Sequence, residues 1–206
     1  MILYKTIDKT ASVEQIIEKS KFIAHVSHAN TKEAGDAFIV KIKAENKGAT
    51  HNVPAMVIGD KFQIQWASDD GEPQGTSGAP IVQMLVSEGI TNIAVVITRY
   101  FGGVKLGTGG LVRAYTSSAK LAIEAAGIIE IREMENFNVS FDYCYLNKLQ
   151  NISAAEDFYI DNIGYTDIVN ATLSTAPENS ENLENILNNV TNGTAKILNR
   201  KVLQTR

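Results

Sequence analysis

Apolar positions along this chain follow three patterns, and each predicts a different element. Ile2, Tyr4 and Thr6 alternate with polar residues, as on an edge strand. Residues 13–19 fit either a turn of helix or a strand, and residues 21–28 (KFIAHVSH) read as a strand. Thr31 can cap a helix running to about residue 46, with Ala34, Ala37, Phe38 and Ile42 on one face and Gly48 past its end. Residues 55–58 and 62–67 flank Gly59-Asp60 as a hairpin. Thr76 or Ser77 can cap a second helix with Pro80 in its first turn, Ile81, Met84, Leu85 and Glu88 at helical spacing, and Gly89 closing it. Residues 92–98 (NIAVVIT) are a continuous β-branched run, the pattern of a central strand buried on both faces. A turn over 102–108 leads into a helix over 109–126. Leu111, Ala114, Tyr115, Ser118, Leu121, Ala122 and Ala125 are expected on its inner face, with Gly127 as its C-terminal stop.

A charged stretch over 130–136 (EIREMEN) reads as a connector. Beyond it come strand 137–143, helix 145–157, strand 159–166, strand 167–175, helix 179–192 and strand 194–202. That order is β-α-β-β-α-β, the split ferredoxin-like unit. The expected fold class is α+β in two domains, 1–132 and 133–206, with the boundary near Arg132.

Composition narrows the classes. The chain has 206 residues, 44% hydrophobic and 20% charged, which fits a packed core and excludes dominant disorder. Net charge is −4, and neither half has the basic balance of a dedicated nucleic-acid binder, which leaves only a local basic patch. The single cysteine, Cys144, rules out an internal disulfide and a Cys-rich zinc site, and with no histidine after it nothing marks it as a nucleophile. The N-terminus lacks a signal-peptide pattern and no run approaches the ~20 apolar residues of a membrane span. Cytoplasmic residence without membrane contact is expected.

Candidate chemistry concentrates in one region. Nine of the 15 glycines lie between Gly71 and Gly110, and glycine clusters where backbones turn tightly or approach something closely. Asp69, Asp70 and Glu72 can supply oxygens to a divalent cation. Asp70, Glu72 or His51 can act in acid–base chemistry. The acids can equally support the following helix through its dipole. Gly75, Thr76 and Gly78 suit an anion-binding turn at a helix start, or simply a tight capped entry. Arg99 and Tyr100 fall just past a buried strand, the edge where ligands bind in α/β sheets. Gly102, Gly103, Lys105, Gly107, Gly109 and Gly110 then read as a phosphate or carboxylate cradle, with Arg113 placed to fork onto the anion. The other reading is that these glycines permit close packing and Arg113 pairs with Asp69 or Asp70. The Walker pattern and the full dinucleotide fingerprint are both absent. No cofactor is expected beyond a divalent metal ion.

The segments SDDGEPQGTSGAP (68–80) and TRYFGGVKLGTGGLVRAY (98–115), with KSKFIAHV (19–26) and ATHN (49–52), closely resemble the signature of the IMPACT family, also called the YigZ or UPF0029 family. Val53-Pro54 departs from the cysteine that members commonly carry after the His-Asn pair. The resemblance implies an N-terminal domain like domain 2 of ribosomal protein S5 and a ferredoxin-like second domain similar to the last domain of elongation factor G. Eukaryotic relatives regulate translation under amino-acid stress by binding a ribosome-associated activator of a kinase, largely through an extra domain not found in this sequence. For bacterial two-domain members the resemblance implies a link to translation or RNA and no established reaction. The expected function is therefore a translation-associated regulator that binds RNA, the ribosome or another anionic partner, or a protein partner in translation control. The alternatives are an enzyme on a small phosphorylated or anionic substrate, with or without metal, and a purely structural interaction module.

Overall fold

The computed structural model describes residues 2–205. They form two compact units, one over Leu3–Glu130 and one from Ile131 onward. The elements of the first are β1 (Ile2–Ile7), β2 (Ala11–Ile17), β3 (Ser20–His28), α1 (Lys32–Glu45), β4 (His51–Ile58), β5 (Ile64–Ala67), α2 (Gly78–Ser87), β6 (Ile93–Tyr100) and α3 (Gly107–Ala126). β7 (Ile128–Phe141) carries the chain into the second unit, which adds α4 (Leu146–Ser153), β8 (Phe158–Tyr165), β9 (Val169–Thr175), α5 (Ser180–Thr191) and β10 (Lys196–Thr205). The fold class is α+β in two domains.

β6 is the continuous β-branched run, and its place explains its composition. It lies in the middle of an antiparallel sheet of order β2-β3-β6-β4-β5. Side chains alternate across a strand, so a strand covered on both faces has no polar side. Ile93, Val95 and Ile97 pack with Leu85 of α2 and Tyr115, Ala119 and Ile123 of α3. Ala94 and Val96 point the other way, to Ile39 and Ile42 of α1 and to Met56. At roughly 1.5–3 kcal/mol for each large side chain, this two-sided burial is the main force holding the unit.

Several expectations shift. Residues 13–19 belong to β2 and the turn after it, not to a helix. The inner face of α1 is Gly35, Ile39 and Ile42 with Phe38 half-buried, while Ala34 and Ala37 are exposed. Gly35 sets that rotation, because a Cβ there would stand 3.2 Å from Met56 Sδ. The helix stops at Asn46, whose N–H donates to the Ile42 carbonyl, before Gly48 is reached. On α3, Leu121 and Ala125 face out, and Ala119, Ile123 and Ala126 complete the buried stripe.

The charged stretch over 130–136 is a further correction, because it is part of β7 rather than a connector. Its backbone pairs with β10, from Arg132↔Thr205 to Ser140↔Lys196. That partner lies some 70 residues away, and charge content alone carries no trace of it. In the second unit the strands run β10-β7-β9-β8, every neighbour antiparallel. α4 and α5 share one face of the sheet, over a core of Phe137, Val139, Phe141, Leu149, Phe158, Leu173, Leu183 and Leu187. This is the expected ferredoxin-like arrangement.

Candidate functional site

Three strand ends meet at one end of the first sheet. Arg99, near the end of β6, pairs across to Phe22 at the start of β3 and to His51 at the start of β4. The loop after β5 brings Asp69, Asp70 and Glu72 to this end and sends each carboxylate to a different set of partners.

Asp69 caps α2. Its Oδ1 accepts from the Ser77 hydroxyl at 2.6 Å and from the Gly78 and Ser77 amides at 2.9 and 3.2 Å, and its Oδ2 accepts from the Gly75 amide at 2.7 Å. The helix has no side-chain cap from Ser77 and no acid in its own first turn, so Asp69 supplies both the acceptor and the negative charge. Burial works to raise the Asp69 carboxyl, but the Ser77 hydroxyl and the amides of Gly75, Gly78 and Ser77 outweigh it and hold the group below its ordinary value. The amides of Gly75 and Gly78, expected to face a foreign anion, are thus taken by the chain's own carboxylate. Thr76 is buried and donates its hydroxyl to the Pro73 carbonyl at 2.6 Å.

Asp70 bridges α1 to β4, with Lys43 Nζ 2.6 Å from Oδ1 and the Asn52 amide 2.7 Å from Oδ2. Glu72 enters the core. Its Oε1 accepts from Arg99 Nη1 at 2.6 Å and from the Tyr115 hydroxyl at 2.7 Å. Burial pushes the Tyr115 hydroxyl far up, and the hydrogen bond to Glu72 and its charge push it further, so Tyr115 remains a donor.

Arg99 departs from the surface role expected of it. It is only 4% exposed. Its guanidinium lies over the rings of Phe22 and Phe101, at 5.3 and 5.4 Å, and Nη2 donates to Ser20 Oγ at 3.2 Å. Among the described residues, Arg99 Nε and His25 Nε2 are the buried side-chain nitrogens without a hydrogen-bond partner. A buried guanidinium paired with a buried carboxylate ties the loop to the sheet.

His51 Nδ1 lies 2.8 Å from the Asp70 carbonyl oxygen, which fixes Nδ1 as the donor. Nε2 then faces Glu72 Oε2 at 3.8 Å, too far for a hydrogen bond. The pair has the parts for proton exchange, held just out of contact. Among the described residues no three His, Cys, Asp or Glu side chains are grouped to hold a metal ion. Asp69, Asp70 and Glu72, expected as a set of oxygen ligands, are instead divided among α2, α1 and the Arg99–Tyr115 pair. A groove of about 350 Å³ lies between β5 and α2 beside Trp66 and Gln83, but His51, Asp70, Glu72 and Arg99 do not line it.

The glycine loop divides in two. Gly102 is required by close approach, because a Cβ there would stand 2.0 Å from the Lys19 backbone. Its amide donates to Ser20 Oγ at 3.2 Å. Gly103 and Gly107 hold positive φ of 84° and 72°. Gly110 lies against Leu106, 3.0 Å from where its Cβ would be. Past Gly103 the loop turns outward. α3 opens with exposed Gly107, Thr108 and Gly109, and Leu106 gives it no side-chain cap. Lys105 and Arg113 are exposed beside that opening, and Arg113 pairs with neither Asp69 nor Asp70. Tyr100 is half-buried under Lys21, whose Nζ lies 5.1 Å from its ring.

Sequence reasoning missed Ser20, Lys43, Asn52, Thr98 and the hydroxyl of Tyr115. Thr98 donates to Asn52 Oδ1 at 2.7 Å, and Asn52 Nδ2 donates to the Asn46 carbonyl at 3.1 Å. The available signal was a polar group on an otherwise apolar face, such as Ser20 before KFIAHV and Thr98 after NIAVVI.

An antiparallel α+β domain built around a buried carboxylate–guanidinium pair, followed by a ferredoxin-like domain, defines a class of two-domain protein. The profile of the Impact N-terminal domain matches residues 18–123, which contain the whole cluster, and a domain of unknown function (DUF1949) matches residues 139–194. The chain is 37% identical over 194 residues to the IMPACT family member YvyE of Bacillus subtilis, covering 94% of this chain and 89% of that protein. It is 35% identical over 156 residues to the IMPACT family member YigZ of Escherichia coli, covering 75% and 76%. A crystal structure described as that of a hypothetical protein matches with a TM-score of 0.59 at 29% identity, covering 95% of this chain and 96% of that one. The chain belongs to the IMPACT family.

Proposed function

We propose that this protein is a translation-associated regulator that binds ribosomal RNA through the strand-end face of its N-terminal unit. The observation that carries the reading is where unopposed charge stands. Lys105 and Arg113 stand exposed beside an uncapped helix N-terminus, with exposed Lys47 and the 48%-exposed ring of Phe101 on neighbouring loops, while Lys21 is paired with Glu14. Asp69, Asp70 and Glu72 at the same end are already bonded to protein donors. Glu18 and Lys19 offset one another in the adjoining hairpin turn. Cations with helix N-terminal amides suit phosphates, and an exposed aromatic suits a base. Family membership and the translation-factor resemblance of both domains support the same reading. The net charge of −4 is no obstacle, because backbone contacts depend on local charge.

The test is co-sedimentation with ribosomes at near-physiological salt, comparing wild type with Lys105→Ala/Arg113→Ala. Both side chains are exposed, so the variant keeps the fold. Wild type is expected in the pellet and the double variant in the supernatant. Wild type left in the supernatant, or a double variant that pellets equally, overturns the reading.

A further inference from the structure

The second unit has a sheet face that no helix of that unit covers, and its chemistry is unlike the rest of the unit. Alternation puts Phe137, Val139 and Phe141 of β7 under α4 and α5, so Asn136, Asn138 and Ser140 face the other way. Cross-strand partners share a face, and the register then builds continuous rows. One row reads Tyr159, Ser174, Asn136, Lys201 across β8, β9, β7 and β10. The next reads Asp161, Thr172, Asn138, Asn199, and beyond it Asn170, Ser140 and Lys196 follow.

These rows are polar and hydrogen-bonding rather than apolar, with one large ring. Tyr159 is 65% exposed. Thr172 donates to Asn138 Oδ1 at 3.0 Å, and the Asn138 side chain is exposed. Charge is segregated as well. Glu133 and Glu135 lie on the helix side of β7, and Glu181 and Glu184 lie on α5. The unit's other acids sit in turns and connections, except Asp161. A unit with an acidic total therefore presents Lys196 and Lys201 on this face, against Asp161 alone. From Tyr159 to Lys201 the row spans about 14 Å, three inter-strand spacings.

We infer that this open face is a second RNA-binding surface, specific for single-stranded RNA. A base stacks on Tyr159, the asparagines and Thr172 meet base edges, and Lys196 and Lys201 hold phosphates. A four-stranded sheet of this width seats two or three unstacked bases. The alternative occupant, a protein, is disfavoured because the centre of the face is polar, its one apolar cross-strand pair, Met134 and Leu203, lying in the row beyond Asn136 and Lys201. The inference rests on the RNA reading above and places a separate contact in the second unit.

The test is fluorescence anisotropy of a labelled oligouridylate with the full chain. Tyr159→Ala is expected to weaken binding about tenfold, the scale of one lost base stack. Tyr159→Phe keeps the ring and is expected to bind as wild type does. Lys196→Ala/Lys201→Ala is expected to lower the slope of log affinity against log salt by about 1.4, roughly 0.7 for each phosphate contact. Annealing the strand to its complement is expected to abolish the Tyr159 effect. Tyr159→Ala binding like wild type, or Tyr159→Phe as weak as Tyr159→Ala, overturns the inference. Loss of binding only in Lys105→Ala/Arg113→Ala would leave the N-terminal reading standing and remove this one. Sensitivity only to Tyr159 and the two lysines would do the reverse, and no binding of RNA or ribosomes by wild type would remove both.

Discussion

Glu72 satisfies two buried donors with one oxygen, and that makes it the residue on which the N-terminal site turns. A buried ion pair adds little over a well-packed apolar pair, but removing one partner strands the other's charge in a low dielectric. Glu72→Gln is therefore expected to destabilise the protein by about 3–5 kcal/mol, because Arg99 is 4% exposed and has no second carboxylate in reach. Chemical denaturation measures this, and a midpoint within error of wild type would show that the pair does not hold the loop. Arg99 could not be placed from the sequence. An arginine just past a buried strand looks the same whether it reaches solvent or turns inward, and the partner that decides stands 27 residues earlier in a loop. The acids at 69, 70 and 72 were recognisable as a unit, but their division among three targets depends on where α1, α2 and α3 pack.

At the scale of elements, α2 depends on a cap from outside itself. Its first turn carries no acid, and Asp69 contacts its opening amides from eight and nine residues before Ser77 and Gly78. Asp69→Ala is expected to cost roughly 1 kcal/mol at neutral pH, the usual worth of an N-cap. The sign with pH follows from its lowered carboxyl. The contribution is fully present above the ordinary value of 3.8 and is lost as pH falls through the lower folded value. Thermal melts of wild type and variant should thus differ at pH 7 and converge below 3.8. A gap that persists in acid would mean that Asp69 acts by shape rather than by charge. Periodicity identified α2 and β6 as elements, yet the α1 and α3 faces were rotated, because Gly35 and the β-sheet surface select which stripe turns inward.

At the scale of the molecule, each unit has its own apolar core, one shared among Leu85, Ile97 and Tyr115 and another among Phe137, Leu149 and Leu173. The single tryptophan, Trp66, lies in the first unit and reports on it. Leu173 is fully buried, so Leu173→Ala is expected to cost about 2–5 kcal/mol in the second core. Circular dichroism should then show an earlier transition while the Trp66 fluorescence midpoint stays where it was. Equal shifts in both signals would mean that the cores unfold as one. The same separation matters for binding, since the cationic strand end and the polar open sheet lie in different units and can be tested by independent substitutions.

The sequence by itself determined most of the element types, the two-domain α+β plan and the span that holds the site. These follow from local periodicity and from glycines whose conformations neighbouring residues impose. Tertiary structure alone decided which groups are spent and which are free. Arg99 is spent on Glu72, and the Gly75, Ser77 and Gly78 amides on Asp69, while Lys105, Arg113 and the α3 opening remain outside. It also decided that the charged stretch at 130–136 is strand, because its partner β10 lies at the far end of the chain. A hydrogen bond or ion pair between residues distant in sequence leaves no periodic trace, and only packing brings its two halves together.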